Sequence, residues 1–97
     1  MEPAPEKRPV RVTILNQQYT VVTAEDPHAI QTLAAEVDEL MFSIADRAPN
    51  ADSTRIAVLA ALHLADRVHT LERELEIMKT RTEQFAGLLE QVITEEA

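Results

Sequence analysis

The chain has 97 residues, no cysteine, and 17 acidic against nine basic residues, which gives a formal net charge of −8. This acidity argues against binding to nucleic acid or to an anionic membrane, and the absence of cysteine excludes disulfides and thiol chemistry. No apolar run approaches the roughly 18 residues that a membrane span needs, and the N-terminus lacks the apolar core of a signal peptide, so a cytoplasmic location is expected.

The first predicted element is a β-hairpin over residues 10–23. Residues 1–9, with three prolines and four charges, are expected to form a flexible tail. Val10, Val12 and Ile14 then alternate with polar residues, as in a half-buried strand, and a second β-rich run covers residues 19–23. Asn16 suits the turn because it tolerates the left-handed backbone conformation. A two-stranded hairpin is marginal alone, so it needs another element against it.

A first helix is predicted over residues 27–47. Asp26 is a good N-cap, Pro27 suits the first helical position, and Pro49 disfavours helical geometry in the residue before it. Between these signals the apolar residues recur with helical spacing and define one stripe. They are Ile30, Leu33, Ala34, Val37, Leu40, Met41 and Ile44.

A second, much longer helix is predicted from an N-cap at Ser53 to about residue 95. Its first part, residues 56–65, is apolar on nearly every side, which is typical of a helix buried all round. We therefore expect this part to lie between its own hairpin and first helix and those of a second chain. The residues expected at this head dimer interface are Ile56, Leu59, Ala60, Leu62 and His63.

The rest of the long helix carries a heptad stripe, in which successive residues are separated alternately by four and by three positions. The stripe consists of Leu64, Val68, Leu71, Leu75, Met78, Thr82, Phe85, Leu89 and Val92. This repeat of 3.5 residues per turn keeps one seam against a partner helix, so it predicts a coiled coil and an oligomer. Thr82 is the one polar member, and it is either a tolerated residue or a device that sets the register.

Residues beside the stripe predict how the helices associate. In a parallel pair, Arg67 meets Glu72 and Glu74 meets Lys79 of the partner, and both pairs are opposite in sign. Further along, the flanking positions become apolar at Ala86, Leu88 and Ile93, which widens the seam. A two-stranded coiled coil does not need that width, whereas a four-helix packing does. We therefore expect two parallel pairs to meet tail to tail.

No catalytic or metal-binding constellation is apparent, so an enzyme and a bound cofactor are not expected. Two of the three histidines, His63 and His69, are six positions apart, which does not place two imidazoles on one helix face. Arg11, Arg47 and Arg55 supply most of the positive charge of the head. They serve either solubility and local ion pairs or contacts with an acidic protein partner.

Together these elements predict an α+β fold in which an N-terminal β-hairpin and a short helix pack on the start of a long C-terminal coiled-coil helix. The expected organisation is a flexible tail over 1–9, a globular head over 10–65 and a coiled-coil rod over 66–97. The head contains the hairpin 10–23, the helix 27–47 and the start of the long helix, 54–65.

Three segments in order resemble the bacterial cell division protein ZapA family: residues 10–21, 26–39 and, most specifically, 55–66. The resemblance implies a cytoplasmic protein at the division septum that binds the tubulin-like GTPase FtsZ and bundles its protofilaments. It also implies a head dimer and a tetramer formed through antiparallel coiled coils. Family members usually have glycine where this chain has Asn16, and many have a basic residue in or just after the turn, where Gln17 and Thr20 stand here. Arg47 matches a charged family position.

The alternative to an FtsZ cross-linker is a homo-oligomeric coiled-coil adaptor for an unrelated protein. It has the same architecture and differs only in its partner.

Overall fold

The computed structural model describes residues 6–96 and shows two strands followed by two helices. Strands β1 (Arg8–Ile14) and β2 (Gln17–Thr23) form an antiparallel hairpin, and helices α1 (Pro27–Arg47) and α2 (Ser53–Glu96) follow. The predicted order of hairpin, short helix and long helix is confirmed. Strand β1 includes Arg8 and Pro9 from the expected tail, whereas residues 1–5 of that tail lie outside the described part of the chain.

The hairpin turn has two residues, and both adopt the left-handed conformation. Leu15 has a φ of 50° and Asn16 a φ of 64°. Two successive residues of this kind give the turn whose twist matches that of the flanking strands. Asn16 accepts this conformation readily, but leucine rarely does. Leu15 is held there by a hydrogen bond from its amide to Oδ1 of Asp38 on α1, with a distance of 2.7 Å.

Helix α1 begins and ends at signals present in the sequence. Oδ1 of Asp26 accepts a hydrogen bond from the amide of His28 at 3.4 Å, and Pro27 is the first helical residue. At the other end, the amide of Ala48 bonds to the carbonyl of Ile44 at 2.9 Å, and Pro49 prevents further extension. Helix α1 thus begins at Pro27 and ends at Arg47, two residues before Pro49.

Helix α2 is capped by Asp52 and not by Ser53. Oδ1 of Asp52 accepts a hydrogen bond from the amide of Arg55 at 2.8 Å, and its carbonyl accepts one from Ile56 at 3.0 Å. Ser53 is already the first residue of the helix. The predicted N-cap was therefore wrong by one position, because both residues have capping side chains and the sequence does not show which one precedes the helix.

The chain divides into two compact units, Met1–Leu62 and His63–Ala97. The first unit contains two small clusters of buried residues. In one, Val10 and Val12 of β1 pack against Ala34 of α1, and in the other, Met41 packs against Ile56 and Ala60 of α2. None of the described side chains is completely buried, as expected for so short a chain. The described part of the second unit is the remainder of α2.

Candidate interaction surfaces

The heptad stripe lies exposed along α2 in the second unit. Leu64 is half-buried, and the other members are exposed, with Leu75 at 67% and Phe85 at 63%. Leu88 and Ile93, which flank the stripe, are exposed to 61% and 69%. A soluble monomer rarely leaves so much contiguous apolar area in water, so this strip is a candidate surface for another helix.

Thr82, the polar member of the stripe, has its hydroxyl satisfied within the helix. The hydroxyl donates a hydrogen bond to the carbonyl of Met78 at 2.9 Å. A threonine bonded in this way presents its methyl group and needs no partner on a facing helix. This geometry favours the interpretation that Thr82 is tolerated in the seam over the interpretation that it sets the register.

In the first unit, α1 covers only half of the inner face of the hairpin. Val10 and Val12 of β1 are 4% and 7% exposed, but their cross-strand partners on β2, Val21 and Tyr19, are 37% and 49% exposed. Directly paired residues share one face of an antiparallel sheet. The β2 half of that face is therefore apolar and uncovered.

A groove, here called the head groove, runs between this uncovered strand and the start of α2. It encloses about 420 Å³ and has Met41 at one wall. Its other lining residues come from the hairpin and from the first turns of α2: Leu15, Gln17, Tyr19, Ser53, Thr54, Ala57, Val58 and Ala61. The groove is mostly apolar, open to solvent and suited to a protein side chain from another chain.

The structure divides the five residues expected at the head dimer interface. Ile56 and Ala60 are 5% and 3% exposed because they pack in the core of their own chain. Leu59 and Leu62 are 41% and 64% exposed, and His63 is also exposed. Val58, which the sequence did not single out, is 55% exposed and lines the head groove. The face of α2 available to a partner therefore contains Val58, Leu59 and Leu62.

The three candidate partner-binding arginines are all exposed and lie on three different elements. Arg11 is on β1 and lines a pocket together with Asp38 of α1, and Arg47 is the last residue of α1. At about 1.5 Å per residue, Asp38 and Arg47 are roughly 14 Å apart along the helix axis. Arg55 lies in the first turn of α2. Arg11 and Arg47 therefore do not form one compact basic patch.

Within residues 6–96, no three His, Asp or Glu side chains are grouped closely enough to hold a metal ion. No helix in the same range is long and apolar enough to cross a membrane. The described surface thus offers apolar contact, backbone hydrogen bonding and many charges, because none of the described charged side chains is buried.

These features define a small α+β protein with exposed apolar surfaces that are candidates for contact with other protein chains. The family model described as "Cell division protein ZapA" matches residues 10–95, so the chain belongs to the ZapA family of cell division proteins. The resemblance of the three sequence segments is thereby confirmed.

Individual relatives agree with this assignment. The cell division protein ZapA of Shouchella clausii is 37% identical over 76 residues, which cover 78% of this chain and 97% of that protein. The cell division protein ZapA of Geobacillus kaustophilus is 38% identical over 68 residues, which cover 70% and 75%. Among solved structures, a ZapA mutant dimer from Geobacillus stearothermophilus superposes with a TM-score of 0.65 at 32% identity. That match covers 86% of this chain and 93% of the other.

Proposed function

We propose that this chain is a non-enzymatic component of the bacterial division machinery that binds FtsZ and cross-links or bundles its protofilaments. It acts in the cytoplasm at the division septum. Membership of the ZapA family supports a role in cell division. The exposed heptad stripe carries the proposal of cross-linking, because an assembly held by that stripe presents several copies of each partner-binding surface. Several weak contacts then act together and raise the effective concentration of the next contact.

The proposed assembly has two levels. A dimer forms first, with its heads in contact through Leu59, Leu62 and His63 together with the core residues Ile56 and Ala60 beneath them. Val58 and the head groove add apolar surface to this contact. A tetramer then forms through antiparallel association of the coiled coils. The apolar flanks Leu88 and Ile93 support four helices in that part of the seam.

Arg47, Arg11 and Arg55 are the proposed contacts with FtsZ. All three are exposed and belong to the first unit, and each adds positive charge to a chain with a net charge of −8. Exposed arginines of this kind steer an acidic partner and fix its orientation more than they supply affinity. The contribution of each is therefore expected to depend on salt.

Co-sedimentation tests this function directly. FtsZ from the source bacterium is polymerised with GTP, the chain is added, and the pellet is assayed at low and moderate salt. We expect the chain to enter the pellet and the filaments to appear as bundles by electron microscopy. A pellet without the chain would contradict the proposal. Affinity capture from the source cell then distinguishes the alternative adaptor function, in which another protein is recovered and FtsZ is not.

A further inference from the structure

The register of the hairpin determines which backbone groups point out of it. Because the turn contains only two residues, Ile14 and Gln17 form the first hydrogen-bonded pair, and such pairs alternate along an antiparallel ladder. The backbone groups of Val10, Val12, Tyr19 and Val21 are then used within the hairpin. The outward-pointing groups belong to the residues between them: Pro9, Arg11 and Thr13 on β1, and Gln18, Thr20 and Val22 on β2.

The two edges of this sheet differ in their capacity to accept another strand. On β1, Pro9 has no amide hydrogen to donate and Arg11 adds a charge. Prolines and charges are the usual means by which proteins block an edge strand. The β2 edge has neither, since Gln17–Thr23 contains no proline and no charged residue. We call the outward backbone groups of Gln18, Thr20 and Val22 the open edge.

Strand β2 is also exposed along its length. Its first six residues are exposed, and Val22 is exposed to 64%. Val21 on the inner face is uncovered as well and does not line the head groove, so an added strand would find an apolar neighbour on that side. Threonine, valine and tyrosine are the residues that favour pairing with a further strand. The open edge thus offers both a hydrogen-bonding ladder and side-chain contacts for alternate residues of a bound segment.

Charge indicates what kind of segment binds there. The hairpin, Arg8–Thr23, contains two arginines and no acidic residue, in a chain whose net charge is −8. Arg11 lies opposite Thr20, the centre of the open edge, and projects from the outer face of the sheet. A third strand lies about 10 Å from β1, within the range of a partly screened charge. An acidic strand is therefore favoured over a basic one at this position.

We propose that the open edge binds an extended acidic segment of the filament partner, which adds to β2 as a third strand. The backbone groups of Gln18, Thr20 and Val22 hold the segment, and Arg11 selects its charge. Strand addition of this type obtains affinity from main-chain hydrogen bonds and specificity from alternate side chains. This inference rests on the proposed function, because it specifies how the first unit recognises FtsZ.

Two matched proline variants test the proposal in the co-sedimentation assay with GTP-polymerised FtsZ. Thr20→Pro removes the central amide of the open edge without breaking a hydrogen bond of the hairpin. Thr13→Pro makes the same change at an outward position on the opposite edge. We expect Thr20→Pro to weaken binding about tenfold or more, and Thr13→Pro to bind as the unmodified chain does. Equal binding by both folded variants would overturn the proposal.

Amide hydrogen exchange on the unmodified chain provides a second test that does not depend on the folding of a variant. We expect the amides of Gln18, Thr20 and Val22 to exchange more slowly when FtsZ filaments are bound, while Arg11 and Thr13 stay unchanged. Binding without protection at these three amides would overturn the edge proposal and leave the proposed function intact. If protection of these amides from exchange increases with chain concentration in the absence of FtsZ, the open edge binds a second copy of the chain. That result would also overturn the edge proposal. Failure of the unmodified chain to bind FtsZ would overturn the proposed function together with this inference.

Discussion

The amide of Leu15 and Oδ1 of Asp38 are joined by a 2.7 Å hydrogen bond across 23 positions of the sequence. The bond ties the hairpin turn to the middle of α1 and holds Leu15 in a conformation that leucine rarely adopts. It also places the Leu15 side chain among the residues around Met41, Ile56 and Ala60. The turn is therefore fixed by tertiary structure as much as by its own residues.

Removal of this bond should destabilise the first unit. Asp38→Ala leaves the partly buried Leu15 amide without an acceptor, and we expect a loss of about 1–3 kcal/mol in the free energy of unfolding. Asp38→Asn keeps an oxygen at the same place and should lose less. Denaturant unfolding at one fixed chain concentration measures both, since oligomer stability depends on concentration. An alanine variant as stable as the unmodified chain would contradict the role given to the bond.

The cap of α2 gives a second prediction. Asp52→Ala removes the side chain that accepts from the Arg55 amide and should cost about 1 kcal/mol of stability. Ser53→Ala, one position later, should change stability by only a few tenths, because alanine is at least as good as serine inside a helix. Thermal unfolding followed by circular dichroism compares the two. A larger loss of stability from Ser53→Ala would indicate that Ser53 is the N-cap, as the sequence predicted.

The heptad stripe gives a prediction about assembly. Phe85→Glu places a carboxylate in the proposed seam, where burial of an unpaired charge costs several kcal/mol or more. We expect chains that keep a folded first unit but no longer form tetramers in sedimentation equilibrium. Gln84→Glu makes the same charge change one position outside the stripe and should leave assembly intact. A tetramer that survives Phe85→Glu would exclude this part of the helix from the interface.

Gly87 offers a stabilising change. It lies within α2, and a Cβ atom added there has no atom within 4 Å. Gly87→Ala should stabilise the helix by about 1 kcal/mol per chain through helix propensity alone. The expected result is a higher midpoint of thermal unfolding with unchanged oligomer size. A lower midpoint would indicate that another helix of the assembly packs against Gly87 and leaves no room for a methyl group.

The proposed FtsZ contacts are tested by charge reversal. Arg47→Glu should weaken co-sedimentation with FtsZ filaments several-fold, and the effect should decrease as salt is raised. The control is Arg73→Glu, an exposed reversal in the second unit that gives the same change in net charge. If both variants lose binding equally, the effect comes from overall charge and Arg47 has no particular role.

The sequence predicted the order and type of every described element because the apolar periods and the two prolines around α1 are strong local signals. The span of α1, Pro27–Arg47, follows from those signals alone. The left-handed conformation of Asn16 was predicted from its residue type, whereas that of Leu15 was not. Its cause is a contact with Asp38, which no local pattern contains.

The candidate surfaces were predicted less completely. A segment that is apolar on all sides does not reveal which face packs inside its own chain. The structure assigns Ile56 and Ala60 to that inner face and leaves Leu59 and Leu62 exposed. Likewise, the β-rich run 19–23 gave no sign that Tyr19 would stay uncovered, because it does not show that α1 packs on β1 and not on β2. Whether an apolar face is buried within its own chain depends on how many helices and strands are available to cover it.

Pro9 has a consequence for the solubility of the protein. Cross-β aggregates grow because each added strand offers a fresh edge to the next molecule. Here a molecule that joins through β2 presents β1 on its far side, where the proline ring stands in place of an amide hydrogen. The missing amide hydrogen at Pro9 and the charge of Arg11 disfavour a further addition at that edge. The hairpin therefore has one strand that can accept a further strand and one strand that disfavours the growth of a fibril.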